Sequence, residues 1–152
     1  MMVLGTNVEP VEILLVEDNP VDIMLTKRVF SAGRVYNNLH VAEDGEEAMD
    51  FLNKSGKYSS APTPEIILLD LNLPRKHGRE VLAEIKADPS LRRISVIILT
   101  TSDSREDIWK SYELQANCFI TKPVDMEQFA NALECLGEFW FALVKLPPST
   151  GA

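Results

Sequence analysis

Cysteine, long apolar runs and secretion signals are scarce or absent in this sequence. Its two cysteines, Cys118 and Cys135, lie far apart without the spacing of metal ligands, so neither a disulfide nor a zinc site is expected. No apolar run approaches the roughly 20 residues that a membrane helix needs. The first residues lack the basic and apolar regions of a signal peptide. We therefore expect a cytoplasmic protein whose cysteines are buried thiols.

Positive charge is also scarce, which argues against broad contact with nucleic acid. The chain has 15 Lys and Arg against 23 Asp and Glu, a formal net charge of −8. A surface that binds nucleic acid needs clustered basic side chains to neutralise phosphates. The basic clusters at residues 75–77 and 92–93 are predicted to be solvated loops. Neither nucleic acid nor a membrane is expected as a partner.

What the sequence does contain is a regular alternation of apolar segments and helical patterns. Its 152 residues suffice for one domain with a real core. The apolar segments predict strands at 11–16, 39–42, 66–69, 94–99 and 117–120. Helices are predicted at 21–30, 44–52 and 78–87, from 104, and from 125 to about 145, with a loop at 53–64. This alternation predicts a parallel sheet with helices on both faces. Residues 11–146 form the domain, 1–10 an N-terminal extension and 147–152 a short tail.

Polar side chains follow the predicted strands where each one ends. Asp70 comes directly after four apolar residues, and a charge cannot stay unpaired inside a doubly buried strand. It is therefore placed at the carboxyl end of the strand, the edge where open α/β sheets carry their sites. Glu17 and Asp18 follow the first strand, Thr100 the fourth and Lys122 the fifth. All of these residues are expected to meet at one edge.

This set of residues is typical of phosphoryl transfer. Clustered carboxylates repel one another and need a cation, and their hard oxygen atoms suit Mg²⁺. A carboxylate can attack phosphorus to form an acyl phosphate, so Asp70 is the predicted acceptor and one metal ligand. Glu17 and Asp18 are the other predicted ligands. Lys122 is the predicted counter-charge, and Thr100 supplies a hydroxyl to the arriving phosphoryl group.

With these motifs the chain resembles a response-regulator receiver domain from about residue 11 to residue 145. The resemblance rests on Val-Glu-Asp-Asn-Pro at 16–20, Leu-Leu-Asp-Leu-Asn-Leu-Pro at 68–74, Leu-Thr-Thr at 99–101 and Thr-Lys-Pro at 121–123. More narrowly, the loop at 56–64 and the aromatic ending resemble the single-domain response regulators that partner cyanobacterial phytochromes. The resemblance implies a flavodoxin-like sheet in the order 2-1-3-4-5. It also implies that a sensor histidine kinase, here a phytochrome-type light sensor, phosphorylates Asp70.

Further residue roles are implied by the resemblance alone. The backbone carbonyl of Asn72 completes the metal shell, and Mn²⁺ or Ca²⁺ can replace Mg²⁺. Thr100 and Phe119 occupy the positions of the family's conformational switch. The Lys122–Pro123 peptide bond resembles one that is cis in receivers. Such a protein is a signalling switch rather than a conventional enzyme, and it assists its own phosphotransfer and slow dephosphorylation.

The last predicted helix is unusually long and apolar. From residue 125 to 145 it would span about 30 Å, longer than a five-stranded sheet can cover. Its aromatic residues and those of the preceding helix would form an apolar patch, which usually marks an interface. We therefore predict a homodimer whose interface contains Trp109, Tyr112, Phe139, Trp140 and Phe141.

Three alternative functions are weaker. A flavin-binding flavodoxin needs a phosphate loop after the first strand, where this chain has Glu17 and Asp18, which would repel phosphate. A phosphatase of the haloacid-dehalogenase type needs an acid two residues after the nucleophile, where this chain has Asn72. A receiver-like interaction module that is not regulated by phosphorylation would not need every acceptor, metal and lysine position filled. Signalling by protein contact is expected, since no DNA-binding helix pair is visible.

Overall fold

The structure is a computed structural model that describes residues 9–32, 36–100, 115–122, 124–125, 127–128 and 131, with Thr100 described by its backbone only. Five strands are present, β1 Val11–Val16, β2 Asn37–Ala42, β3 Ile66–Asp70, β4 Ser95–Thr100 and β5 Cys118–Thr121. The helices of the described residues are α1 Pro20–Ala32, α2 Gly45–Leu52 and α3 Gly78–Ala87, with a 3-10 helix at Gly56–Tyr58.

The strands form one parallel sheet in the order β2-β1-β3-β4-β5, which confirms the predicted topology. Predicted and observed bounds agree to within a residue or two for every strand, and α3 has the predicted bounds. Glu127 and Gln128 are helical, and Asp125 Oδ1 accepts a hydrogen bond from the Gln128 N–H at 2.8 Å. The predicted start of the last helix is thus confirmed, while its length lies outside the described residues.

The central strand β3 is apolar throughout because both of its faces are covered. Its alternate residues belong to two separate cores. Ile67 and Leu69 pack in the core under α2 and α3, whereas Ile66 and Leu68 pack in the core that contains Phe30 of α1. All residues of β3 are buried, including Asp70 at its end. The sheet therefore holds Asp70 in a rigid, closely packed frame.

Side chains at the N-termini of α1 and α2 cap these helices next to the carboxyl edge of the sheet. Asn19 Oδ1 accepts from the N–H groups of Val21 at 2.9 Å and Asp22 at 3.2 Å, which begins α1 directly after the acidic pair. Asp44 caps α2 by accepting a hydrogen bond from the Glu47 N–H at 2.7 Å. Each cap satisfies backbone donors that would otherwise lack partners.

The segment at 53–64 was predicted to be a plain loop, which is wrong in part. It contains the 3-10 helix, and the ring of Tyr58 packs against Phe51 of α2 with centroids 5.2 Å apart. The Tyr58 hydroxyl also donates a hydrogen bond to Glu47. These contacts fasten the segment to α2. None of the described helices is both long and apolar enough to cross a membrane.

Candidate functional site

The carboxyl edge of the sheet brings the predicted polar residues together because the strands are parallel and in register. Val16 of β1 pairs with Leu69 of β3, so the next residues along, Glu17 and Asp70, emerge side by side. Thr100 of β4 pairs with Thr121 of β5, which places Lys122 one residue beyond the same edge. The edge is the predicted location of the site.

Three carboxylates converge at this edge. Glu17, Asp18 and Asp70 each offer an oxygen atom, and these atoms lie within 4.8 Å of one another. Glu17 and Asp70 are buried, with 1% and 3% of their surfaces exposed, whereas Asp18 is exposed to solvent. Glu17 Oε2 accepts a hydrogen bond from the Asn19 N–H at 3.2 Å. Three hard carboxylate oxygen atoms this close together, two of them from buried residues, are the donor set that suits a divalent cation such as Mg²⁺.

Lys122 is the cation that balances this cluster in the structure. Its Nζ lies 2.7 Å from Glu17 Oε1 and 3.2 Å from Asp70 Oδ2, and it forms an ion pair with each of these carboxylates. It lies 3.2 Å from Asp22 Oδ2, to which it donates a directed hydrogen bond. The contact with Asp70 agrees with the predicted counter-charge, whereas Asp22 was missed by the sequence analysis.

Burial and crowding shift the proton affinities of this cluster. Burial raises the pKa of Glu17 to about 7; the nearby Asp70 carboxylate adds to the increase, and Lys122 opposes it. For Lys122, burial alone would lower the pKa. Close contact with Glu17, the charge of Asp70 and the hydrogen bond to Asp22 outweigh that cost and hold the pKa of Lys122 above its usual range. Three carboxylates thus contact the Lys122 ammonium group, and burial makes Glu17 resist ionisation.

Without a divalent cation, stability is expected to fall as pH rises from 4.5 to about 7, because the folded state then binds a proton at Glu17 that the unfolded state has lost. The loss attributable to Glu17 is about 3 kcal/mol at most, since one pKa unit corresponds to about 1.4 kcal/mol. Urea unfolding in a chelator measures it as the difference between wild type and Glu17→Gln. Parallel pH dependence of the two proteins would contradict the assignment.

Backbone contacts of the segment after Asp70 hold that segment against the predicted acceptor. The Asn72 N–H donates to Asp70 Oδ1 at 3.2 Å, which holds the carboxylate in a fixed orientation. The Gly78 N–H donates to the Leu71 carbonyl at 2.9 Å. A Cβ atom at Gly78 would lie 2.4 Å from the Asp70 carbonyl oxygen and 2.6 Å from Leu71 Cα, so only glycine fits here. The start of α3 therefore packs directly on the acceptor's own backbone.

Residues 75–77 form a loop with Arg75 exposed, as predicted, and their side chains also make specific contacts. Arg75 has a left-handed backbone with φ of 68°, and its guanidinium lies 3.4 Å from Asp44 and 3.6 Å from Glu46 at the start of α2. Lys76 pairs with Glu84, and His77 Nδ1 accepts from the Arg79 N–H at 3.1 Å and so caps α3. These contacts connect the loop after Asp70 to both helices. Residues 92–93 are exposed as predicted.

Some predicted site residues lie wholly or partly outside the described residues. For Thr100 the structure places the backbone at the end of β4 and does not describe the side chain. Pro123 lies outside the described residues. So do the predicted interface residues, which are Trp109, Tyr112, Phe139, Trp140 and Phe141. Phe119 is half-buried and packs against the core under α2 and α3. Cys118 is buried, as predicted, and Cys135 lies outside the described residues.

Comparison with known proteins gives consistent matches over nearly the whole chain. The family model of the response regulator receiver domain matches residues 13–134. The response regulator Rcp1 of Synechocystis sp. is 45% identical over 138 residues, which cover 91% of this chain and 94% of Rcp1. The phosphorylated cyanobacterial phytochrome response regulator RcpA has a crystal structure similar to this one, with a TM-score of 0.75, 45% identity and coverage of 92% of this chain and 100% of that one. The Mn²⁺-bound form of Rcp1 gives a TM-score of 0.74 at 45% identity, covering 91% and 100%.

Proposed function

The chain belongs to the response regulator receiver domain family, and from that premise we propose that Asp70 accepts a phosphoryl group from the phosphohistidine of a sensor histidine kinase. Receiver domains are signalling switches that bind a divalent metal. The observation that carries the proposal is the buried Asp70 carboxylate, within 4.8 Å of two further acidic side chains and 3.2 Å from the Lys122 ammonium group. This is the charge arrangement that a phosphoryl group with its cation requires.

In the proposed transfer, a carboxylate oxygen of Asp70 forms a bond to phosphorus while the bond from phosphorus to the imidazole nitrogen of the donor breaks. Asp70 becomes an acyl phosphate, and the kinase regains a free histidine. A divalent cation, Mg²⁺ with Mn²⁺ or Ca²⁺ as substitutes, would when bound supply positive charge that offsets the charge of the phosphoryl oxygens. Glu17, Asp18, Asp70 and the Asn72 carbonyl would hold it. Lys122 pairs with a phosphoryl oxygen, and the Thr100 hydroxyl donates a hydrogen bond to another.

The proposal is tested by incubating the protein with a small phosphodonor, with and without Mg²⁺, and measuring its intact mass. Wild type is expected to gain one phosphoryl group with Mg²⁺ and almost none in a chelator. The alternative, an interaction module that is not regulated by phosphorylation, predicts an unchanged mass in both conditions. That result would overturn the proposed function.

The metal ligands are tested separately through stability. Mg²⁺ that binds the native state alone raises the melting temperature by linkage. Asp18→Asn is expected to remove most of that increase, because it deletes a charged ligand, and the fold should tolerate the change at this exposed position. Asp50→Asn, the same charge change at an exposed position of α2, serves as the control. A melting shift unchanged in Asp18→Asn would mean that the ligands are assigned wrongly.

We propose a phytochrome-type histidine kinase as the phosphodonor, on the basis of the 45% identity to RcpA, a cyanobacterial phytochrome response regulator. An autophosphorylated phytochrome kinase is expected to transfer its phosphoryl group faster than an unrelated histidine kinase does. Equal transfer from both would contradict this partner and leave Asp70 as the acceptor. The phosphorylated protein then signals by protein contact in the cytoplasm.

The predicted homodimer remains part of the proposal, with its interface at the last two helices. Light scattering at tens of micromolar, with and without a phosphoryl mimic, tests it. A monomer under both conditions would contradict it.

A further inference from the structure

Lys122 contacts three carboxylates that lie in different parts of the fold. Its side chain is only 14% exposed, and it contacts the buried Glu17 and Asp70 and the partly buried Asp22, so these charges interact more strongly than they would in bulk water. The contact with Asp22 is the one with the direction of a hydrogen bond. Asp22 belongs to α1, whereas the other two partners lie at the ends of strands.

Two of these partners have a second role in the proposed reaction. Glu17 and Asp70 belong to the carboxylate cluster that suits a cation, and Asp70 also becomes the acyl phosphate. Asp22 is not a member of that cluster. Once Glu17 and Asp70 turn to the cation and the phosphoryl group, Asp22 is the carboxylate left to hold the Lys122 ammonium group.

Asp22 is itself held firmly in place. Its N–H donates to the capping Asn19 Oδ1 at 3.2 Å, and its carbonyl accepts from the hydroxyl of Thr26 at 2.8 Å. Thr26 is buried, so this hydrogen bond ties the backbone of Asp22 to a buried residue of α1. The pocket that contains Asp22 and Lys122 is lined by Glu17 and Thr26 and by the apolar residues Leu25, Leu99 and Val124.

We propose that Asp22 is a positioning residue for phosphoryl transfer, which holds Lys122 beside Asp70 while Glu17 and Asp70 are engaged by the cation and the phosphoryl group. The proposal rests on the proposed function, because it assigns a role within the same reaction. In the protein without a cation, Asp22 also shares Lys122 with Glu17 and Asp70. Loss of Asp22 would let the ammonium group remain on those two carboxylates and compete with the cation.

A purely local role for Asp22 makes a different prediction. An acidic side chain in the first turn of a helix is favourable to the helix dipole, which would make Asp22 a stabilising residue of α1 only. In that case Asp22→Asn would lower the melting temperature and leave both the Mg²⁺ affinity and the phosphorylation rate of the folded protein unchanged. A direct effect of its charge on the cation would persist in the absence of Lys122.

A double-mutant cycle distinguishes these roles. Asp22→Asn and Lys122→Met are made singly and together, and two quantities are measured. One is the dissociation constant for Mg²⁺ of the unphosphorylated protein; the other is the rate constant of phosphorylation by a small phosphodonor. Asp22→Asn is expected to weaken Mg²⁺ binding and slow phosphorylation by about tenfold, the scale of one charged hydrogen bond. It should change neither quantity in the Lys122→Met background.

Equal effects of Asp22→Asn in both backgrounds, or no effect on either quantity in the wild-type background, would overturn the proposal. Asp50→Asn should leave both quantities unchanged. Lys122→Gln provides a second background if Lys122→Met folds poorly. If wild type is never phosphorylated, the proposed function fails, and the Mg²⁺ cycle still decides whether Asp22 acts through Lys122.

Discussion

Replacing Asp70 by asparagine is expected to abolish phosphorylation of the protein. In the structure the Asn72 N–H donates a hydrogen bond of 3.2 Å to Asp70. Asparagine has the same shape and can still accept this hydrogen bond, so the loop should keep its conformation. Its amide lacks the anionic oxygen that attacks phosphorus and binds the cation. Intact mass after treatment with a small phosphodonor and Mg²⁺ should show one added phosphoryl group on wild type and none on Asp70→Asn.

The matched control is Asp50→Asn, which makes the same chemical change on the exposed face of α2. It should be phosphorylated like wild type. Thermal unfolding of Asp70→Asn establishes that the variant is folded under the conditions of the assay. Labelling of folded Asp70→Asn to the wild-type level would remove Asp70 from the reaction.

Substitution of Gly78 by alanine is expected to destabilise the fold by about 3 kcal/mol, the scale of an overpacked interior site. The added Cβ would meet the Asp70 carbonyl oxygen at 2.4 Å and Leu71 Cα at 2.6 Å. Both are backbone atoms of the segment that carries the acceptor, so neither can move without moving the site. Urea unfolding measures the loss, and the phosphorylation rate of the remaining folded protein should fall with it.

Gly56→Ala is the control for the removal of a glycine. Gly56 has a positive φ of 56°, but no atom lies within 4 Å of a Cβ built there. Its substitution should lower stability by only about 1 kcal/mol, through backbone strain, and leave phosphorylation unchanged. Equal losses for the two variants would contradict the close packing of α3 on the acceptor segment.

The strand order was implied by the resemblance to receiver domains and not by the apolar patterns, whereas the meeting of the principal site residues could be predicted because each of them directly follows an apolar strand. Glu17 and Asp70 directly follow apolar strands, and parallel register then forces them to one edge. Lys122 follows a strand in the same way. The helix predicted at 21–30 likewise begins within one residue of the observed start of α1 at Pro20. Short-range patterns of this kind need no knowledge of how helices lie on the sheet.

Asp22 could not be predicted in this way because its role depends on tertiary packing. It contacts a lysine 100 residues further along the chain, and the contact depends on how the first turn of α1 approaches the end of β5. Its local signal, an acid in the first turn of a helix, is common and has a sufficient local explanation. Gly78 is similar: the sequence shows a glycine at a helix start, but the requirement for glycine comes from the backbone of Asp70 and Leu71.

The segment at 53–64 shows a third limit of sequence patterns. Its Gly, Ser and Pro content predicted a loop, and turn-forming residues do dominate it. The position of Tyr58 is determined by its contact with Phe51 and by its hydrogen bond to Glu47, neither of which follows a periodic pattern. Long-range contacts made by a single aromatic side chain can therefore order a segment whose composition is that of a loop.

The most direct test of the central claim is to locate the phosphoryl group on the chain. Wild-type protein is phosphorylated in the presence of Mg²⁺ and reduced with borohydride, which converts an aspartyl phosphate to homoserine, and its peptides are sequenced by mass spectrometry. Homoserine at position 70 and at no other aspartate is the predicted result. A phosphoryl group on a histidine or a hydroxyl side chain, or homoserine at Asp18 instead, would contradict the assignment of Asp70 as the acceptor.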